Sequence, residues 1–102
     1  MILHEQVLLV VPGGDYIETY AEVIPLTTRE IYDINLAGGD SVQASTANYR
    51  IVLPPMSPAD IPHSGDTIRW LGSDYRMLGP CLRHHVNGQL HHLEAIITRT
   101  GS

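Results

Sequence analysis

Cysteine, basic side chains and long apolar runs are all scarce in this sequence of 102 residues. Its one cysteine, Cys81, has no second cysteine in the chain with which to form a disulfide, so stability has to come from packing or from partner subunits. No stretch approaches the roughly 20 apolar residues of a membrane-spanning helix, and the start of the chain lacks the basic region of a signal peptide. These features predict a protein of a reducing compartment with no membrane segment.

The charge balance argues against a protein that grips nucleic acid. Six Lys and Arg residues stand against eleven Asp and Glu residues, which leaves a net charge of −5. A negative surface repels phosphate backbones and anionic lipids, which disfavours a freestanding DNA-binding module. An acidic surface is still compatible with a passage along which DNA slides without being held.

Short β-prone segments alternate with turn residues along the whole chain. The 43% hydrophobic content is sufficient for a packed core, and the length allows one domain, residues 1–102. Strands are predicted at residues 7–11, 16–26, 49–53, 67–71 and 75–78, and a terminal hairpin at 82–99 turns at Asn87-Gly88. The predicted fold is all-β: a small antiparallel β-barrel with long loops and at most one short helix.

The middle of the chain is predicted to be less regular. Residues 27–30, Thr-Thr-Arg-Glu, have the spacing of a capping box and predict one short helical turn. Residues 36–47 are small and polar without a period, so we interpret them as an extended, mobile loop. The residues of that loop that we single out are Leu36, Gly38, Gly39, Asp40 and Val42.

The segment 65–79 contains the clearest strand pair in the sequence. Gly65-Asp66 forms a turn before a strand in which Ile68 and Trp70 share one face and Arg69 lies on the other. Gly72-Ser73-Asp74 is expected to turn the chain into the next strand, which begins near Tyr75. Ile68, Trp70 and Tyr75 are therefore candidate core residues.

This segment resembles the head-to-tail joining family of tailed bacteriophages, the stopper or head-closure proteins. The shared features are a Gly-Asp turn, a strand with an exposed basic residue and a core aromatic, a glycine turn, a tyrosine and a second strand. Flanking residues extend the similarity over 47–101, about half the chain, and their order resembles stoppers of phages that infect actinobacteria. The first half of the chain matches only in its plan of strand, turn, strand and long loop.

The resemblance implies a structural virion protein that is assembled in the host bacterial cytoplasm and located at the head-tail interface. About six or twelve copies would form a homo-oligomeric ring. Its partners would be the portal and adaptor complex, the tail terminator and the end of the packaged DNA. The ring would close the DNA exit and provide the surface on which the tail docks. In the family a long loop projects toward the channel, which makes residues 36–47 the candidate gating loop.

Two histidine doublets flank the terminal turn, His84-His85 and His91-His92. In a regular two-residue hairpin His84 faces His91, so at most two imidazoles converge on either face. A closed zinc site needs four ligands, and the interpretation is therefore that no metal binds and that the histidines face solvent or an interface. Their role stays open.

No other group of residues predicts catalysis or a cofactor. His63, Ser64 and Asp66 are residue types of hydrolytic triads, but no nucleophile-elbow motif is present. Cys81 is expected to be a partly buried strand residue. We expect a structural protein and not an enzyme. The alternatives are a tail terminator or another tail-completion ring protein, a small non-viral β-barrel binding module, and a metal-dependent enzyme.

Overall fold

The computed structural model describes residues 3–10, 14–27, 30 and 47–100. Within them the chain forms six strands: β1 (Glu5–Val10), β2 (Tyr16–Pro25), β3 (Asn48–Leu53), β4 (Thr67–Trp70), β5 (Ser73–Val86) and β6 (Gln89–Arg99). They close into an antiparallel barrel in the order β1-β2-β3-β6-β5-β4, with β4 pairing back onto β1. The predicted small antiparallel β-barrel is confirmed. In these ranges no helix is long and apolar enough to span a membrane.

Alternation along the strands fills the barrel interior. Ala21 is fully buried on β2, while Glu18, Tyr20 and Ile24 on the opposite face are exposed, as their spacing predicts. Every strand contributes to one core, and residues 54–66, which carry no strand, add one apolar side chain to it. The core residues are Val7, Leu9, Ala21, Ile51, Leu53, Ile61, Ile68, Tyr75, Met77, Leu93, Ala95 and Ile97.

Two hairpins have tight two-residue turns. Asn87 and Gly88 have φ values of 52° and 78°, which confirms the type I′ turn predicted for this dipeptide. The turn between β4 and β5 was placed wrongly by the sequence. Its central residues are Leu71 and Gly72, with φ values of 51° and 76°, and Trp70 pairs with Ser73. Leucine rarely adopts a positive φ, so the sequence predicted the turn at the more typical turn residues that follow, Gly72-Ser73-Asp74.

The sequence also predicted two separate hairpins, at residues 67–78 and 82–99, and this separation was wrong. β5 is one strand of 14 residues that pairs with β6 along most of its length, so both predicted hairpins share it. The register shifts between Leu78 and Leu82, where Gly79 has a φ of 70°. Gly79 and Pro80, which suggested that the strand ends here, lie in a bulge within the continuous strand.

Candidate functional site

The Gly65-Asp66 turn is attached to β5 through backbone hydrogen bonds. The amide of Gly65 donates to the carbonyl of Met77, and the amide of Met77 donates to the carbonyl of Asp66, both at 2.9 Å. The Asp66 carboxylate accepts a hydrogen bond from the backbone amide of His63 at 2.8 Å. Asp66 therefore orders the turn, which accounts for it without a hydrolytic role.

Three aromatic rings gather at the end of the β4–β5 hairpin. Trp70 meets Tyr49 edge-on at a centroid separation of 5.0 Å and lies 5.7 Å from Tyr75. Among the candidate core residues, Ile68 and Tyr75 are buried, whereas Trp70 is half-buried and packs against the core. The Trp70 indole donates a hydrogen bond to Glu5 at 3.2 Å. These contacts connect the hairpin to β1 and β3.

Arg69 points away from the core, as the alternation predicts. Its Nε donates to the Asp74 carboxylate at 2.8 Å, and its guanidinium lies 5.4 Å from the ring centre of Tyr16. The hydrogen bond to Asp74 raises the pKa of Arg69. The outer wall of the barrel thus has an ordered contact between β2, β4 and β5.

The distal part of the β5–β6 hairpin extends past the strands beside it. β4 pairs with β5 only up to Arg76, and β3 pairs with β6 only from Leu93 onward. Residues 82–92, which we term the arm, form a two-stranded ribbon without a further strand neighbour among the described residues. Leu82 and Val86 on its outer face are 53% and 52% exposed. The arm therefore presents apolar side chains outside the barrel.

The facing of the histidines on the arm differs from the prediction. His84 pairs with His92 and not with His91, because the register shifts between His84 and His85 and leaves His91 as an extra residue on β6. The bulge places two consecutive histidines on one side of the ribbon, where the Nδ1 atoms of His91 and His92 are 2.8 Å apart. The histidine pairing from which a metal site was excluded is therefore wrong.

Glu94 completes a group of three metal-ligand types on the outer face of the hairpin. The Nε2 atom of His84 is 2.8 Å from Glu94 Oε2, and the Nε2 atom of His92 is 3.7 Å from Glu94 Oε1. One ligand atom from each of the three side chains lies within 4.8 Å of the others. Sequence reasoning missed Glu94, although its position two residues after His92 on a strand places it on the same face.

A groove of about 510 Å³ lies at the base of the arm, between residues 61–64 and 79–83. Cys81 lines it, and burial raises the pKa of the Cys81 thiol more than nearby Arg83 lowers it. A raised pKa leaves the protonated and unreactive form at neutral pH. The interpretation of Cys81 as a partly buried strand residue is confirmed.

No protein-family model and no curated protein matches this chain. The resemblance to head-to-tail joining proteins thus rests on residues 65–79 and their flanks alone.

The predicted gating loop falls almost wholly outside the described residues. This holds for Leu36, Gly38, Gly39, Asp40 and Val42. Its last residue, Ala47, is described and accepts a hydrogen bond from the Arg99 amide at 3.0 Å. The capping box before it is present: the backbone amides of Thr27 and Glu30 each donate a hydrogen bond to the other's side-chain oxygen at 3.1 Å. The helical turn that it would begin lies outside the described residues.

Proposed function

We propose that this protein is a structural subunit of a phage neck, which forms a stopper ring between the portal and adaptor complex and the tail. The observation that carries the proposal is the form of residues 65–79. They make a Gly-Asp turn bound to β5 and a β4–β5 hairpin, with Arg69 outward and Ile68 and Tyr75 in the core. These are the features through which the sequence resembles head-to-tail joining proteins.

The arm supports assembly into a ring. A two-stranded ribbon has little stability by itself, and its outer strand edges can pair with another chain. The exposed Leu82 and Val86 side chains offer apolar surface that a neighbouring subunit would cover. In the ring each arm reaches the next subunit, so that the barrels form the wall and the arms join them.

The charge of the chain fits the inner wall of such a ring. A net charge of −5 does not hold the phosphates of a passing duplex, so the packaged DNA end can rest at the ring and later leave through it. The stopper closes the exit after packaging and offers the tail terminator its docking surface. It acts in the virion, after assembly in the host cytoplasm, and performs no catalysis.

Deletion of the gene from the phage genome that carries it tests the proposal. Packaging should proceed, while tails fail to attach and filled heads lose DNA to added nuclease. Normal infectious particles from the deletion would refute the assignment. Intact heads beside defective tails would assign the protein to the tail terminator instead.

Complementation with arm variants tests the role of the arm. Leu82→Glu should fold as a monomer and fail to restore tail attachment, because a charge replaces an apolar contact between subunits. Leu71→Glu is the matched control, since it places the same charge on an exposed leucine outside the arm. Equal rescue by Leu82→Glu and the natural chain would refute this use of the arm.

A further inference from the structure

Two imidazoles and a carboxylate lie close together on the outer face of the β5–β6 hairpin, where the arm leaves the barrel. His84 on β5 and His92 on β6 are cross-strand partners, and Glu94 is next to them along β6. All three side chains are part-exposed, with 43%, 20% and 23% of their surface accessible. The His84 Nε2 atom itself is covered, so a cation reaches the three side chains once the His84 ring rotates, without any opening of the barrel.

We propose that His84, His92 and Glu94 bind a divalent cation of the zinc class. Two histidines and one glutamate are a donor set that zinc takes in proteins, with a water in the fourth position. Ligand atoms about 2.1 Å from a tetrahedral zinc lie roughly 3.4 Å from one another. The His84 Nε2 atom is 2.8 Å from one Glu94 oxygen and the His92 Nε2 atom is 3.7 Å from the other, and one ligand atom from each of the three side chains lies within 4.8 Å of the others, so small side-chain movements would bring them to that spacing.

His92 has the surroundings of a metal ligand, because His91 contacts its other ring nitrogen. Its Nδ1 is 2.8 Å from His91 Nδ1, so one of these two nitrogens donates to the other. If His92 donates, its Nε2 has a free lone pair directed at the site, which is how ligand histidines are usually oriented. The bulge that creates this pair is therefore part of the site, and His91 acts as a positioning residue.

The Nε2 atom of His84 points to the same conclusion. It is inaccessible to solvent, and its 2.8 Å approach to Glu94 is a close ion-pair distance without the alignment of a hydrogen bond. A buried ring nitrogen with no hydrogen-bond partner costs free energy, and a cation at this position would satisfy it.

Binding requires a small change in the rings. The imidazoles of His84 and His92 are stacked at 4.5 Å and nearly parallel, at 6°. Their in-plane lone pairs have to tilt toward one another to meet at a single ion. His84 has the exposed surface to allow that rotation. The bound ion would connect the two strands of the arm where it leaves the barrel, and this site does not depend on the proposed function.

Cobalt and zinc titrations of the full chain, purified without a histidine tag, test the proposal. Co²⁺ should bind one per chain with the visible absorption of a tetrahedral complex, and Zn²⁺ should displace it. His91→Gln should lower the metal affinity about 10- to 100-fold, as expected for a residue that supports a ligand. The affinity should fall further in each of the ligand variants, His84→Gln, His92→Gln and Glu94→Gln. His85→Gln is the matched control, because His85 follows His84 on β5 but lies on the other face.

Several results would overturn the proposal. Binding that remains in Glu94→Gln, or that is weakened equally in His85→Gln, would show an adventitious histidine contact. The absence of stoichiometric binding would show that His84, His92 and Glu94 are close together without forming a metal site. Far-ultraviolet circular dichroism of each variant checks that its barrel is intact, so that lost binding is not lost folding.

Discussion

Removal of the Trp70 side chain should destabilise the barrel strongly. Replacement of a well-packed tryptophan by alanine costs about 3–5 kcal/mol, and the half-burial of Trp70 places the expected loss near the lower end, about 3 kcal/mol. The contacts account for most of it: two ring pairs at about 0.5–1.5 kcal/mol each, and the hydrogen bond to Glu5 at about 1 kcal/mol. The total free energy of unfolding of a domain of this size is about 5–15 kcal/mol.

Urea unfolding followed by circular dichroism measures this loss. Fluorescence is unsuitable because Trp70 is the only tryptophan in the chain. Trp70→Phe keeps a ring against Tyr49 but loses the hydrogen bond, so it should cost less than the alanine variant. Tyr20→Ala removes an aromatic ring that is 54% exposed and serves as the control. If Trp70→Ala lowers the free energy of unfolding no more than Tyr20→Ala, the aromatic cluster does not stabilise the isolated subunit.

Three further predictions concern single side chains. Leu71→Asn should raise the free energy of unfolding by about 0.5–1 kcal/mol, because asparagine tolerates the positive φ of this turn; an unchanged urea midpoint would contradict this. Cys81 in the folded chain should react with iodoacetamide only at higher pH than in the unfolded chain, since burial raises its pKa; equal pH profiles would refute it. The Arg50 hydrogen bond lowers the pKa of Glu30, so NMR titration should give a midpoint below that of ordinary glutamate, and Arg50→Gln should raise it.

The Glu30 shift also has a consequence for stability. A carboxylate whose pKa is lower in the folded chain stabilises it at pH values above the ordinary glutamate pKa. That contribution decreases as the pH falls from the ordinary glutamate pKa through the lowered folded value, because over this range the unfolded state takes up a proton that the folded state does not. Glu30→Gln should therefore flatten the acid side of the stability profile, and an unchanged profile would contradict this assignment.

Local chemistry predicted much of the barrel. Asn87-Gly88 determines its turn because few dipeptides accept two positive φ values, and the alternation in β2 identifies its buried face. The continuity of β5 across Gly79 and Pro80 could not be predicted this way, because a bulge depends on the partner strand as well as on the residues it contains.

The same limit explains the histidines. Counting outward from the turn pairs His84 with His91, and a single extra residue on β6 changes the partner to His92. Spacing alone places Glu94 on the same face as His92, but its approach to His84 depends on this changed pairing. Pairings near the turn were predictable, whereas the group beyond the bulge depended on a register that only the folded hairpin defines.

The continuity of β5 and β6 determines how the arm can transmit force. A load applied at Asn87-Gly88 enters the core through two uninterrupted strands, at Met77 on one side and Leu93 on the other. The arm is therefore a direct extension of the barrel wall and is not joined to it through a loop. The ladder between the two strands is irregular at Gly79 and again within the arm, between His84 and His85. A push on the tip would thus bend the chain at these two places before it disturbs the barrel interior.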